Sequence, residues 1–365
     1  MNQPVGKLIS YRKKLLNAFK NNNISYEYKT QTCTYYIGEG FYINHRKRAS
    51  ELNRIYGYDK HWAYGGALKY KKFPLSSRIG KDKTELPLYV ISFKSFTPRY
   101  TEFFYTIYKN YIEKIKGGFC ICLTEQDYIV FKDMYILEDM KVEQILYYQD
   151  VGYLPVSDII DEAYIDKKTC KPDEKFIFEA GFYGLFAKKL YDYETSWERS
   201  KYFEIYAQTG DKNIRAAEVP IATYQTAYLR YEEWQLFKKF MDKVVYMNTD
   251  SIYCTEDFFI EEDKGLGYYG KCYNGEYIQF IRRNAYVVLN DDMSINDIII
   301  GGVPKELNEK YITPETLKIL RDPRAAQAIK CLTYEDDKKK KLKEVMLNPD
   351  FIQYYQGTCR NIKYI

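Results

Sequence analysis

The chain has 365 residues, of which 46% are hydrophobic, and its 55 Lys and Arg against 50 Asp and Glu give a formal net charge of +5. That length and apolar content exclude a disordered polyelectrolyte and suffice for one large core or two to three moderate subdomains, while the near balance of charge permits a nucleic-acid partner without demanding one. There is no run of 18 apolar residues, Met1 to Lys20 is broken by Lys7, Arg12, Lys13 and Lys14, and the eight cysteines contain no CxxC pair; a membrane span, a secretory leader, a zinc site and a disulfide framework are therefore not expected, and reduced thiols in a cytoplasm are.

Val5 to Lys20 reads as a basic helix, and Thr30 to Asn44 as a strand or hairpin around Gly38-Glu39-Gly40. Arg54 to Asp59 is a short strand ending on an acid, and Leu86 to Phe96 is a further strand. Thr124 to Met140 and Val156 to Ile165 have helical spacing without a strong cap. Pro172 to Leu190 is the best-marked helix, with Pro at its opening, Asp173 and Glu174 in the first turn and Lys188 and Lys189 in the last. Thr226 to Val244 follows as a long amphipathic helix, then strand-like Tyr277 to Leu289 and Ile298 to Gly302, and helical Pro314 to Arg321. The mixture predicts an α+β architecture with a central antiparallel sheet. The Lys-rich run after Asp336-Asp337 is a solvated helix face. The 41 tyrosines offer rings for stacking bases, although an AT-rich coding sequence produces the same bias.

The stretch Tyr246-Met-Asn-Thr-Asp-Ser-Ile-Tyr253 is the most informative and a candidate for chemistry. Two apolar strands flank a polar tip, and such a hairpin holds Asp250 rigidly at its apex, as two-metal nucleotidyl transfer needs. Asn, Thr, Asp and Ser are also ordinary turn formers. Asp59 likewise has a second reading, as a helix N-cap after a strand.

Taken in order, several segments resemble family B DNA polymerases of the protein-primed branch. Tyr246-Met247-Asn248-Thr249-Asp250-Ser251 is similar to the YxDTDS of motif C. Tyr58-Asp59 to Leu75 resembles motif A, keeping Asp59, Tyr64 and Pro74 and carrying Trp62, Ala63 and Gly65 where the family has Ser, Leu and Pro. Lys175 to Phe186 resembles motif B, keeping Tyr183, Gly184 and Phe186. Tyr36-Ile-Gly38-Glu-Gly40 resembles the YxGG template-binding loop with one extra residue, Val219 to Tyr231 the segment leading into the palm helix, and Arg282-Arg283-Asn284-Ala285-Tyr286 the KxY motif. The resemblance spans roughly residues 30 to 320.

It implies a right-hand polymerase fold with an antiparallel palm sheet, helical fingers and a small thumb. Residues 1–50 would carry the template-binding loop, 51–104 the first part of the palm, 105–155 and 187–215 two insertions like terminal-protein regions 1 and 2, 156–190 the fingers, 216–302 the rest of the palm and 303–365 the thumb. Asp59 and Asp250 would hold two Mg²⁺ or Mn²⁺ ions about 4 Å apart, with Asn248 the third catalytic position. Tyr64, Lys175 and Tyr183 would bind the dNTP, Tyr64 by excluding a 2′-hydroxyl. Tyr36, Gly38, Gly40, Thr249, Arg282, Arg283 and Tyr286 would contact DNA. Core packing is the competing role for Tyr64 and Tyr183. The implied partners are a DNA primer-template, dNTPs, a terminal protein primer and a separate exonuclease subunit, since 58 residues before Asp59 are too few for an exonuclease domain. The setting would be the host cytoplasm if the source is viral.

The departures matter as much. Asn248 stands where the family has an aspartate, so the position can offer a carbonyl but no charge. Ala180 and Gly181 replace the Asn-Ser pair of motif B, and Lys175 lies eight residues before Tyr183 rather than seven, a displacement of about 100° on a helix. Three readings stay open: a template-directed DNA polymerase, a catalytically degenerate relative that binds DNA or a polymerase subunit, and a template-independent nucleotidyl transferase.

Overall fold

The computed structural model describes residues 3–26, 41–105, 107–108, 119–170, 219–258, 265–283 and 285–300. Tyr36, Gly38, Gly40, Lys175, Ala180, Gly181, Tyr183, Asn284, the helix expected over 172–190, and the segments 187–215 and 303–365 lie outside them. The described helices are α1 (Gln3–Asn21), α2 (Ala63–Tyr70), α3 (Glu125–Met134), α4 (Ser157–Thr169) and α5 (Val219–Phe240). The strands are β1 (Tyr42–His45), β2 (Asn53–Lys60), β3 (Lys72–Pro74), β4 (Ile79–Gly80), β5 (Pro87–Phe93), β6 (Ser95–Pro98), β7 (Phe103–Tyr105), β8 (Phe119–Thr124), β9 (Tyr135–Glu138), β10 (Lys141–Tyr148), β11 (Val151–Tyr153), β12 (Val244–Asn248), β13 (Ser251–Cys254), β14 (Tyr269–Arg282), β15 (Ala285–Leu289) and β16 (Ile295–Ile300).

The expected α+β architecture is present. Eight strands form one antiparallel sheet in the order β16-β15-β14-β2-β13-β12-β1-β7. Successive side chains of a strand alternate between faces, and the sequence exploits this on both sides. Tyr58, Val244, Met247, Ile252 and Cys254 point into a core shared with Val130, Phe131, Trp234 and Phe237 of α3 and α5. Ile55, Val245, Tyr246, Tyr253, Ile278, Phe280 and Val288 form a second cluster on the other face. A register shift between Val244 and Tyr246 lets Val245 and Tyr246 share that second cluster. A smaller sheet, β4-β10-β5-β8, packs with α1, α2, α4 and the N-terminal half of α5 around a third core.

The two helices lying on the first face are locked by charge as well as by packing. Arg230 of α5 donates from Nε to Asp127 Oδ1 at 2.6 Å and from Nη2 to Oδ2 at 2.8 Å, and both side chains are 1% exposed. Tyr108 and Thr124 complete the partners of Asp127. A buried pair is tolerable only when its remaining lone pairs are met in this way.

Several boundaries differ from the sequence expectation for identifiable reasons. The helix expected over Thr124–Met140 ends at Met134, because Tyr135–Glu138 pairs with β6. It is capped after all: the Thr124 hydroxyl accepts from the Asp127 N–H at 3.1 Å. The single strand expected over Leu86–Phe96 is two, since β5 and β6 belong to different sheets, and Tyr277–Leu289 is the β14–β15 hairpin. The helix expected from Thr226 starts earlier, at Val219, with Pro220 in its first turn.

Candidate active site

The tip of the β12–β13 hairpin is a two-residue loop. Asn248 pairs with Ser251, leaving Thr249 and Asp250 between them. Thr249 has φ 60°, a left-handed backbone that a β-branched residue adopts only under constraint. The constraint is visible: its N–H donates to the Phe41 carbonyl, the Asp250 N–H to the Asn248 carbonyl at 2.7 Å, and the Ser251 hydroxyl to that same carbonyl at 3.0 Å.

Asp59 reaches the same place from β2. It is the partner of Ser251 on one side and of Gly270 on the other, and the N–H of Lys60 donates to the Asp250 carbonyl at 3.0 Å. Asp59 lies inside a strand, and the following helix begins four residues later behind Trp62, so its N-cap reading is excluded. Tyr58 and Lys60 are buried on the helix face, and period-two alternation turns the exposed Asp59 to the opposite face. Its charge is felt there. Burial first, then Asp59, pushes the Cys272 thiol up to about 12, and burial with a smaller contribution from Asp59 raises Tyr253.

Asn248 and Arg283 also meet here. The Arg283 Nε donates to Asn248 Oδ1 at 3.3 Å, and its guanidinium stands 5.1 Å over the Tyr42 ring. Tyr286 lies in the aromatic cluster of the same face, where its hydroxyl accepts from Tyr273 at 3.2 Å and is 3.5 Å from that of Tyr253. Arg282 is the last residue of β14.

Tyr64 occupies the first turn of α2, partly buried against Ala63, Ala67 and Leu229, with its carbonyl accepting from Gln225 Nε2 at 3.0 Å. The approach to α2 is tight. Trp62 has φ 51°, and a Cβ on Gly65 would come within 2.4 Å of its indole, which accounts for glycine where motif A has proline. A Cβ on Gly66 would lie 2.5 Å from Gly267 Cα.

Among the described residues no three His, Cys, Asp or Glu side chains converge as a metal site. Asp59 and Asp250 are brought to adjacent strand ends, and two carboxylates completed by water and substrate phosphate are a donor set that Mg²⁺ accepts. By donor type, two carboxylates on neighbouring backbone positions suit a divalent ion that shares its coordination with substrate.

Sequence reasoning missed the polar layer behind this edge. Lys60 and Lys71 converge on Glu232, and the Tyr269 hydroxyl donates to Glu233. Burial opposes ionisation of Glu232, but the two lysines outweigh it and lower its pKa. Burial raises Glu233 to about 8, against the opposing pull of Lys60 and Tyr269 and with Asp250 and Glu232 adding to the rise. The available signal was two consecutive acids in the middle of a helix whose other residues are mostly apolar.

No protein-family model and no curated protein matches the chain. Solved structures do. Phi29 DNA polymerase complexed with primer-template DNA and incoming nucleotide substrates aligns at 15% identity and a TM-score of 0.59, over 87% of this chain and 63% of that one. The same polymerase in an orthorhombic crystal form gives 15% and 0.55 over 84% and 62%, and complexed with single-stranded DNA 16% and 0.54 over 84% and 62%. The chain therefore spans about three fifths of the Phi29 polymerase chains it matches. At this identity the likeness is one of fold, a polymerase-like fold similar to that of Phi29 DNA polymerase.

Proposed function

We propose that the chain is a template-directed DNA polymerase of the protein-primed family B type, joining a dNTP to a primer 3′-hydroxyl or to a hydroxyl of a terminal protein. The observation that carries this reading is the backbone adjacency of Asp59, near the end of a central strand, and Asp250, in the hairpin loop beside it, in a chain with a fold like that of Phi29 DNA polymerase. Two Mg²⁺ or Mn²⁺ ions held by these carboxylates would activate the attacking hydroxyl and neutralise the departing pyrophosphate.

The residues around them have separable tasks. Asp59 is fixed by strand pairing and Asp250 by the bonds of the hairpin tip and of the Lys60 N–H, so they meet the substrate without reorganisation. Tyr64, held through its carbonyl by Gln225, closes the space beside the incoming sugar and selects against a 2′-hydroxyl. Arg283 contacts a backbone phosphate at the primer end, beside the polar tip that Thr249 constrains. Lys175 and Tyr183 act on the nucleotide, and Tyr36, Gly38, Gly40 and Arg282 on the DNA, as the motifs imply.

A second reading has one observation in its favour. Asn248 brings no charge and is engaged by the Arg283 guanidinium, an arrangement suited to a degenerate relative that binds DNA without synthesis. Incubation of a labelled primer, with and without template, with single dNTPs separates the readings. Incorporation of only the complementary base supports the polymerase, incorporation without template supports a nucleotidyl transferase, and DNA binding without incorporation supports the degenerate relative.

A further inference from the structure

Glu232 and Glu233 are consecutive on α5, so their side chains leave the helix about 100° apart and reach two neighbouring strands. Glu232 takes Lys60 of β2, whose side chain is 6% exposed, together with Lys71. Glu233, 1% exposed, accepts from Tyr269 of β14 through Oε1, while its Oε2 has no hydrogen-bond partner. Lys60 and Tyr269 are directly paired across the two strands, and the Lys60 ammonium lies 4.9 Å from the centre of the Tyr269 ring. Each tie ends within one residue of the candidate metal site: Lys60 follows Asp59 and bonds the Asp250 carbonyl, and Tyr269 precedes Gly270, the partner of Asp59.

Buried ion pairs and half-satisfied carboxyls are poor stabilisers, since apolar replacements of equal volume do as well or better. We propose that Glu232 and Glu233 are positioning residues forming a clamp that pins the ends of β2 and β14 to α5, thereby fixing the spacing of Asp59 and Asp250 closely enough to favour Mg²⁺ over Mn²⁺. This rests on the reading that those two carboxylates hold divalent ions. With Asn248 neutral the site has little charge to attract a cation, so accurate placement matters more. Mg²⁺ demands near-ideal octahedral geometry at short distances, whereas the larger Mn²⁺ tolerates longer and less regular bonds to the same oxygen ligands. Because burial keeps a proton on Glu233 at neutral pH, its hydrogen bond rather than its charge makes the tie, and glutamine can replace it.

The test is Mn²⁺ binding to the full chain at pH 7, followed by the electron paramagnetic resonance signal of the free ion, with Mg²⁺ measured by competition. Tyr269→Phe, Glu233→Leu and Glu232→Gln are each expected to weaken Mg²⁺ by about tenfold, the scale of loss when a group that orients a metal ligand is removed, and Mn²⁺ much less; Glu233→Gln should keep the wild-type ratio. Tyr269→Phe deletes one oxygen and keeps the ring, so it stands in if Glu233→Leu fails to fold. Equal losses for both ions, or no loss for either, would overturn the clamp. Wild-type protein that binds no Mn²⁺, or binding unaltered by Asp250→Ala, would overturn the metal-site reading and the clamp with it.

Discussion

Replacing Glu233 by Gln should change how stability depends on pH. The folded chain holds the Glu233 proton up to about pH 8, whereas an unfolded glutamate releases it near 4.5. Between those values the native state binds the extra proton, so stability falls as pH rises and the loss is complete above pH 8. A difference of about 3.5 units at 1.36 kcal/mol each gives about 5 kcal/mol. Glutamine has the same shape, accepts from Tyr269 and has no proton to lose. Urea denaturation of wild type and Glu233→Gln at intervals from pH 5 to 9 isolates the effect, because titrating groups that do not interact with Glu233 cancel in the difference. The variant should gain steadily on wild type up to pH 8 and then hold a constant margin. Parallel curves across the whole range would refute the assignment of a buried, proton-bearing Glu233.

Other perturbations follow from the same geometry. Arg230→Leu leaves the Asp127 carboxylate buried without its cation and should cost about 3–5 kcal/mol, read by urea denaturation at pH 7; Asp127→Leu combined with it should recover much of that loss. Thr249→Gly relieves the left-handed strain at the hairpin tip and should stabilise the fold by about 1 kcal/mol in the same assay. Asn248→Asp adds a unit charge beside the carboxylate pair and gives Arg283 a charged partner; Mn²⁺ affinity should rise by about 2–8 kcal/mol, the attraction of a divalent ion to one added charge at about 4 Å between water-like and protein-surface dielectric.

What was legible in the sequence was local. Two apolar runs around Asn-Thr-Asp-Ser announce a hairpin, and the strand that ends on Asp59 shows in the same way, so both candidate carboxylates could be named and aligned with polymerase motifs. The choice between a strand end and an N-cap for Asp59 needed the pairing with Ser251 and Gly270. Other features depend on contacts distant in sequence. Helix α3 stops where β6 claims the next four residues, a tertiary pairing that overrides helical spacing. The partnership of Lys60 with Glu232 joins residues 172 positions apart, and that of Asp127 with Arg230 joins residues 103 apart. In each pair the acid alone looks like a surface charge. Trp62 and Gly65 show the reverse case, in which a departure from motif A that looks like decay is a mutually required packing of indole on glycine.

On the proposed function, Asp59 and Asp250 together support template-directed nucleotide addition. Extension of a labelled primer-template with dNTPs and Mg²⁺ or Mn²⁺ tests it most directly, comparing wild type with Asp59→Ala, Asp250→Ala and Asn248→Asp. The account predicts complementary extension by wild type, its loss in both alanine variants and faster extension by Asn248→Asp. Extension that survives Asp250→Ala, or its absence in folded wild type with either ion and no recovery in Asn248→Asp, would contradict it.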